Sequence, residues 1–177
     1  MKSESRTRLF ALLAVLAFFG LVWLYAREFS VLYNTIGAKT LVGAAMLAGF
    51  IIAGSVLWRW RQRFTPWERH MPEVLFILLF CVLFAPLFVS LLNRSLGSTE
   101  NQSFEFISES PYIASNYGVL KGEKIKPTGY YLTVTEDGKA LKFKYSSQPY
   151  YPITKPGEPV LLPVRKGLFG FRVILLE

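Results

Sequence analysis

Charged residues are absent from three long stretches of the chain, at positions 9–26, 41–58 and 74–93. An α-helix needs about 20 apolar residues to cross a bilayer, within a range of about 17 to 25. A helix on the surface of a soluble core would carry polar residues at helical spacing on one face, and none of the three stretches shows that pattern. The pattern therefore predicts three transmembrane helices, at about 9–26, 41–58 and 74–93, within a membrane domain of residues 1–93.

The first stretch follows the basic residues Lys2, Arg6 and Arg8, so a cleaved signal peptide is an alternative to a retained helix. A cleavage site needs small residues at two key positions. Ala26 meets that need, but Leu24 occupies the other position. We therefore expect a retained anchor.

Basic residues beside the stretches predict the orientation of the chain. Three lie before the first stretch and four lie at 59–73, whereas two lie at 27–40 and one, Arg94, follows the third stretch. Short loops rich in Lys and Arg stay in the cytoplasm. We expect a multi-pass protein of a plasma or bacterial inner membrane. Its N-terminus and its 59–73 loop lie in the cytoplasm, and residues 104–177 lie outside it.

Aromatic and basic residues alternate at the start of the second loop, 59–73, which is expected to be cytoplasmic. The residues in question are Trp58, Arg59, Trp60, Arg61, Arg63 and Trp67. Trp rings favour headgroup depth and Arg side chains attract anionic lipids, so these are lipid-interface candidates. An ordinary inner loop is the explanation we favour, and docking of a cytoplasmic partner or a specific lipid is the alternative. Thr65 is predicted to cap a helix that begins at Pro66.

Small residues recur every four positions in the second stretch, at Ala45, Gly49 and Ala53. Such a strip allows another helix to approach closely. We favour packing against the chain's own first and third stretches over packing against a membrane-protein partner or a second copy. No Asp, Glu, His, Lys or Arg lies inside the three stretches, which argues against a proton relay or a charge-coupled transporter. Pro86 is predicted to kink the third helix.

From residue 104 onward the pattern changes to the alternation typical of β-strands. Asp137-Gly138, between 130–135 and 140–145, predicts a hairpin, and 160–164 with 168–176 predict a second one. Pro163 predicts an edge strand, because proline has no N–H to donate. Residues 94–103 are polar and predict a linker. The predicted fold class is membrane α + β, with three transmembrane helices followed by a small C-terminal all-β domain, a sheet or a partly closed barrel, at 104–177.

The composition, with 52% hydrophobic residues and a net charge of +8, refines the expected chemistry. Ten basic and four acidic residues lie in 1–94, so most of the charge is an orientation signal and we expect no nucleic-acid partner. The tail contains neither His nor Cys, which excludes the usual metal sites and a Ser-His-Asp triad there, and we expect no cofactor. Its acidic residues are expected in turns or at outward positions.

Tyr150 and Tyr151, held between Pro149 and Pro152, are contact-surface candidates, because tyrosine is favoured at recognition surfaces. Packing inside the domain is the alternative, and we favour it. We expect a non-enzymatic binding or scaffolding protein, an accessory subunit of an envelope complex that presents its β-domain outside the cytoplasm. A subunit of an oligomeric transport system is one rival. A surface hydrolase is another, with paired carboxylates or a Ser-Lys pair built on Ser110, Ser146 or Ser147.

Overall fold

A computed structural model describes residues 2–113, 127–146 and 148–176 of the chain. Within these residues it contains three α-helices, two short 3-10 helices and six strands. The helices are α1 (Lys2–Tyr33), α2 (Ala38–Arg59) and α3 (Met71–Ser95). The strands are β1 (Thr35–Ile36), β2 (Ser98–Tyr112), β3 (Gly129–Glu136), β4 (Lys139–Tyr145), β5 (Pro159–Lys166) and β6 (Arg172–Ile174).

The chain divides into two compact units. A helical unit comprises Met1–Val31 and Gly43–Ser90, and a β unit comprises Leu32–Val42 and Leu91–Glu177. The loop between α1 and α2 therefore belongs to the β unit. Two segments far apart in the sequence build that unit, a feature that the sequence patterns do not predict.

The three predicted helices are confirmed as helices long and apolar enough to cross a membrane, over Thr7–Tyr33, Ala38–Arg59 and Trp67–Ser95. α1 continues seven residues beyond the apolar stretch that ends at Ala26. No glycine or proline lies between Ala26 and Tyr33 to end it. α3 continues through Pro86, and a kink at that residue stays a prediction.

Close contacts between helices occur around Gly49 on α2. A Cβ atom at that position would lie 2.5 Å from the carbonyl oxygen of Cys81 and 2.9 Å from the Cβ of Ala85, both on α3. Ala45 and Ala53, one turn away on either side, are also buried. The strip of small residues thus lies inside the unit, where its lack of side-chain bulk allows the backbones of α2 and α3 to approach.

The β unit is a six-stranded antiparallel sheet with the order β1-β6-β5-β2-β3-β4. Its two outer strands, β1 and β4, are bridged by the side chain of Asn34. The Asn34 amide nitrogen donates to the carbonyl of Lys144 (2.7 Å), and its oxygen accepts from the Lys144 N–H (2.8 Å). The Asn34 side chain thus forms with Lys144 the two hydrogen bonds that a neighbouring strand would form. It links the two outer strands, so the sheet is a nearly closed barrel. The predicted all-β domain is confirmed in this form.

The central part of the barrel interior is apolar and is filled by alternate residues of the strands. They are Phe104, Phe106, Leu132, Val134, Phe143, Tyr145, Val160, Leu162, Val164 and Ile174. Outward positions between them are exposed or half-buried, as the period of two requires.

The predicted hairpin at Asp137-Gly138 is confirmed. Both residues have positive φ, 49° and 74°, which matches the twist of the flanking strands β3 and β4. The second hairpin is also present, but its second strand is only β6, Arg172–Ile174, instead of 168–176. Residues 167–171 form a loop, which Asn93 holds through its amide: the oxygen accepts from the Phe169 N–H (3.0 Å) and the nitrogen donates to the Phe171 carbonyl (3.1 Å).

The prediction that Pro163 marks an edge strand is wrong, because β5 lies between β6 and β2. The ladder between β5 and β6 covers only Val164 to Lys166. Pro163 lies just beyond its end, where its carbonyl accepts from the Leu175 N–H (2.9 Å). In an antiparallel strand the N–H and C=O of one residue point to the same side. The N–H that Pro163 lacks would therefore point toward the β6 side, beyond the end of the β5–β6 ladder, where no strand residue is paired with it.

The expected linker at 94–103 is also largely absent. α3 includes Arg94 and Ser95, and β2 begins at Ser98. β2 pairs with β5 from Ser98 onward, and this pairing satisfies the backbone of a segment whose side chains are polar. Polar composition indicated solvent exposure correctly, but it did not distinguish a linker from an exposed strand.

Candidate functional site

The predicted contact residues Tyr150 and Tyr151 lie in the loop after β4 and are held by Glu109 of β2. The Glu109 carboxylate accepts from the N–H groups of Tyr150 (3.0 Å) and Tyr151 (3.3 Å). It also accepts from the hydroxyl of Tyr145. The Tyr151 hydroxyl donates to the carbonyl of Leu161 (3.0 Å). The Tyr151 side chain packs against the barrel core, whereas Tyr150 is 46% exposed and is held through its backbone N–H, so a contact between Tyr150 and a partner stays a prediction.

Glu109 faces inward because β2 contains a bulge. Phe106 pairs with Val134 but Ser108 pairs with Thr133, so one extra residue lies between them. Since side chains alternate along a strand, this extra residue reverses the faces that follow, and Glu109 pairs with the inward-facing Leu132. The expectation that the acidic residues of the tail lie in turns or face outward is therefore wrong for Glu109.

The environment of Glu109 changes the acidity of two tyrosines. Burial and then the hydrogen bond to Glu109 raise the pKa of Tyr145 well above its ordinary value. Burial and then the nearby Glu109 charge raise the pKa of Tyr151. Both phenols are therefore held in the protonated form, in which they donate the hydrogen bonds described above.

A second aromatic cluster lies on the outer surface of β2, β3 and β4. It consists of Tyr33, Tyr112, Tyr131, Lys142 and Lys144, which we call the tyrosine–lysine face. The Tyr131 ring lies 5.0 Å from the Tyr112 ring and 6.3 Å from the Tyr33 ring, measured between centroids. The Lys142 Nζ lies 4.0 Å from the centroid of Tyr131, and the Lys144 Nζ lies 4.3 Å from that of Tyr112.

The register of the strands assembles this face. Tyr131 pairs with Ser110 on one side and with Lys144 on the other, so their side chains project from the same surface. Asn34 brings Tyr33 to the edge of that surface by its bonds to the backbone of Lys144. The alternation in 140–145 predicts outward Lys142 and Lys144, but nothing local in the sequence indicates which tyrosines they contact.

An ion pair lies at the other end of the barrel interior. Its acidic member, Glu136, also departs from the expectation of turns or outward positions, because it shares the inward face of β3 with Leu132 and Val134. The Arg172 guanidinium donates to both carboxylate oxygens of Glu136 (2.5 and 2.6 Å) and to the side-chain oxygen of Gln102 (3.0 Å). The hydrogen bond to Glu136 raises the pKa of Arg172. The pair is half-buried and joined by two charge-assisted hydrogen bonds, which is typical of a structural ion pair rather than of a reactive group.

In the helical unit, the predicted lipid-interface residues separate into two groups. Trp58, Arg61 and Trp67 line a cavity of about 610 Å³ between α2 and the start of α3. Arg59, Trp60 and Arg63 are exposed and do not line it.

The predicted cap at Thr65 is wrong. The Thr65 hydroxyl donates back to the carbonyl of Arg61 (3.1 Å), and no side chain caps the 3-10 helix that begins at Trp67. The preceding 3-10 helix, Arg61–Phe64, places that carbonyl within reach, so the hydroxyl is already engaged there.

The part of α1 that follows the charge-free stretch carries a buried acidic residue, Glu28. No Asp, Glu, His, Lys or Arg lies in 9–26, but the helix continues to Tyr33 and includes Glu28. Glu28 is only 1% exposed, and its carboxylate accepts from the Ser90 hydroxyl of α3 (2.8 Å). Glu28 lies just after the charge-free stretch, so the sequence did not place it inside a membrane helix. Its partner Ser90 lies 62 residues away, so no local pattern could indicate the hydrogen bond.

Across residues 2–113, 127–146 and 148–176, no three His, Cys, Asp or Glu side chains are grouped so as to hold a metal ion. Ser147, a member of the Ser-Lys alternative, lies outside the described residues. Comparisons of the chain with protein-family models, with curated proteins and with solved structures found no match.

Proposed function

We propose that the chain is a membrane-anchored binding protein that presents its barrel outside the cytoplasm, and that the tyrosine–lysine face binds an acidic surface of a partner protein. The observation that carries the proposal is the convergence of three tyrosines and two lysines from four elements onto one outer face. Anchored in this way, the chain is an accessory or scaffolding subunit of an envelope complex.

The proposed membrane location is supported by exposed apolar surface. Large apolar side chains are exposed along most of α1, and Phe10 at 70% and Phe19 at 63% are examples. A soluble monomer seldom exposes a contiguous patch of more than a few hundred Å². Lipid would cover this surface, and the basic residues beside the helices support the orientation with the barrel outside.

The tyrosine–lysine face has the properties of a binding surface for an acidic protein. Tyrosine is enriched among residues that carry most of the energy of an interface. Neither Lys142 nor Lys144 forms an ion pair with any residue that the structure describes, so their contacts with Tyr131 and Tyr112 leave each positive charge available to a partner carboxylate. Ammonium groups already held over rings lose less side-chain entropy on binding.

A transport subunit is a second candidate, which the buried Glu28 favours. Ionisable residues inside membrane helices often mark a pathway for ions or protons. Glu28 is paired with Ser90 and lies on the helix that precedes the barrel. If Glu28 carries protons, Glu28→Gln abolishes transport without affecting partner binding by the barrel.

Charge reversal in the native membrane tests the binding proposal. The full chain is tagged and purified in mild detergent with its partners, as the wild type and as Lys142→Glu combined with Lys144→Glu. The double variant should lose an extracytoplasmic partner that the wild type retains. A control variant with Lys139→Glu and Lys155→Glu carries the same charge change at exposed positions away from the face and should retain that partner.

Photocrosslinking locates the contact. A photoreactive residue at position 142 should crosslink to the same partner, and one at exposed Leu161 on β5 should not. Equal recovery of every partner by the wild type and the charge-reversed variant would refute the proposed role of the face.

A further inference from the structure

We infer that the cavity between α2 and the start of α3 binds one anionic phospholipid, with an acyl chain inside the cavity and the phosphate at Arg61. The inference assumes that the helices span a membrane, as proposed above, but it is independent of any binding by the barrel. It concerns residues of the helical unit alone.

The size and lining of the cavity suit an acyl chain. Its volume of about 610 Å³ lies within the range of about 300–1,000 Å³ that is typical of small-molecule sites. The walls are predominantly aromatic and aliphatic, with Phe50, Leu57, Trp58, Phe64, Trp67 and Leu78 as the apolar members. Gly54 also lines the cavity, and a Cβ at that position would meet no atom within 4 Å. The cavity is therefore open next to Gly54, and a larger side chain at this position would fill part of it.

The polar end of the cavity provides one cation. Arg61 and Thr65 are its polar lining side chains, and the Thr65 hydroxyl is engaged by the Arg61 carbonyl (3.1 Å). The Arg61 guanidinium lies 5.2 Å from the centroid of Trp58. It forms no ion pair with any carboxylate of the described residues. A guanidinium presents paired N–H donors that match two phosphate oxygens, so this group can receive a lipid headgroup.

Charge favours an anionic lipid over a zwitterionic one. Residues 59–69 include four arginines, at 59, 61, 63 and 69, and one acidic residue, Glu68. The choline of a zwitterionic headgroup carries its own positive charge into this basic region, whereas an anionic headgroup does not. Trp58 and Trp67 are both more than 45% exposed, so the aromatic walls continue to the outer surface of the helices, where lipid has access to the cavity.

Native mass spectrometry of the full chain tests this inference. The protein is purified in detergent, freed of lipid, and incubated with phosphatidylglycerol or phosphatidylcholine that carry identical acyl chains. We expect one phosphatidylglycerol molecule to be retained per chain. The retention of phosphatidylglycerol should exceed that of phosphatidylcholine by about fivefold, which is the affinity gained from the attraction of about one basic residue to an anionic headgroup. Equal retention of the two lipids by the wild type would overturn the inference.

Two pairs of variants assign the site. Arg61→Gln should remove the fivefold preference, whereas Arg69→Gln, which changes an exposed arginine outside the cavity lining, should keep it. Gly54→Leu should fill the cavity and prevent retention of either lipid. Gly43→Leu is the matched control, because it also lies on α2 with no atom within 4 Å of an added Cβ, but it does not line the cavity.

The variants also separate the possible failures. Unchanged phosphatidylglycerol retention by Gly54→Leu would show that the lipid lies elsewhere and would refute the site. An unchanged preference in Arg61→Gln would refute the role of its guanidinium, and this comparison remains valid if Gly54→Leu does not fold. Recovery of the chain in the soluble fraction without detergent would contradict the membrane location itself, which distinguishes that failure from failure of the lipid site.

Discussion

Large apolar side chains are exposed along most of α1 in the helical unit, whereas the apolar side chains in the centre of the barrel are almost completely buried. The helices form their backbone hydrogen bonds within each segment. The barrel instead depends on pairs that are distant in the sequence, such as Thr35 with Val173. The difference shows that a local pattern is sufficient to specify the helices, while the barrel is complete only when the loop after α1 joins the tail.

The comparison predicts that the largest loss of stability comes from the barrel core. Leu132→Ala should lower the free energy of opening of the barrel by about 3 kcal/mol, because Leu132 is 0% exposed and its loss leaves a cavity. Hydrogen exchange of β3 amides in the full chain, measured in detergent, reports this value. Leu161→Ala, at a position 64% exposed on β5, is the control and should change it by less than about 0.5 kcal/mol. Similar losses in both variants would contradict a core at Leu132.

In the helical unit we expect the largest loss of stability from a substitution at the contact between α2 and α3. Gly49→Leu should cost about 2 kcal/mol, because even its Cβ would lie 2.5 Å from the Cys81 carbonyl oxygen and the helices must separate. Thermal unfolding followed by the helical circular dichroism signal in detergent measures the effect. Gly43→Leu adds the same side chain to α2 in open space and should leave the melting temperature almost unchanged. An equal change in the two variants would show that α2 and α3 do not approach at Gly49.

The predictable part of the fold follows the same division. Charge-free length predicted all three helices, and Asp137-Gly138 predicted the hairpin between β3 and β4, because each signal is contained in a short segment. Strand β1 could not be predicted in this way. Thr35-Ile36 is too short to show alternation, and it is a strand only because β6 lies beside it.

The candidate site divides similarly. Outward-facing Lys142 and Lys144 follow from alternation along β4. The contact between Lys142 and Tyr131 requires the register of the β3–β4 pair. The inward orientation of Glu109 requires a bulge that adds no recognisable residue type to the sequence. Register and bulges are set by the whole sheet, so short-range patterns indicate the ingredients of the site but not their arrangement.

The contact of Asn34, in the loop after α1, with Lys144 of β4 predicts a smaller and more local loss of stability. Asn34→Ala should lower the free energy of opening at the β4 edge by about 1.5 kcal/mol, because it leaves the N–H and C=O of Lys144 without their partner. Hydrogen exchange at the Lys144 amide measures this local change. Asn34→Asp keeps the acceptor and loses the donor, so its effect should be intermediate. Unchanged exchange in Asn34→Ala would show that this side chain does not join β1 to β4.

The smallest effect concerns the hydrogen bond between Tyr145 and Glu109, and it depends on pH. Burial and Glu109 raise the pKa of Tyr145 above its ordinary value of 10.0, so the folded barrel holds this proton more tightly than the unfolded chain. The resulting stability is complete below about pH 10 and is lost as the pH rises further. Tyr145→Phe should cost about 1 kcal/mol at neutral pH, where the hydrogen bond is intact in the wild type.

Above pH 10 the wild type and Tyr145→Phe should therefore converge. Near-ultraviolet circular dichroism melting of the full chain in detergent, between pH 8 and pH 11, measures the difference. The wild-type melting temperature should fall more steeply over this range, because only the wild type loses the Tyr145 contribution. Some fall should remain in the variant, since burial also raises the pKa of Tyr151. Equally steep falls in the two proteins would mean that the Tyr145 proton does not stabilise the barrel, and Glu109 would then hold the loop through the N–H groups of Tyr150 and Tyr151 alone.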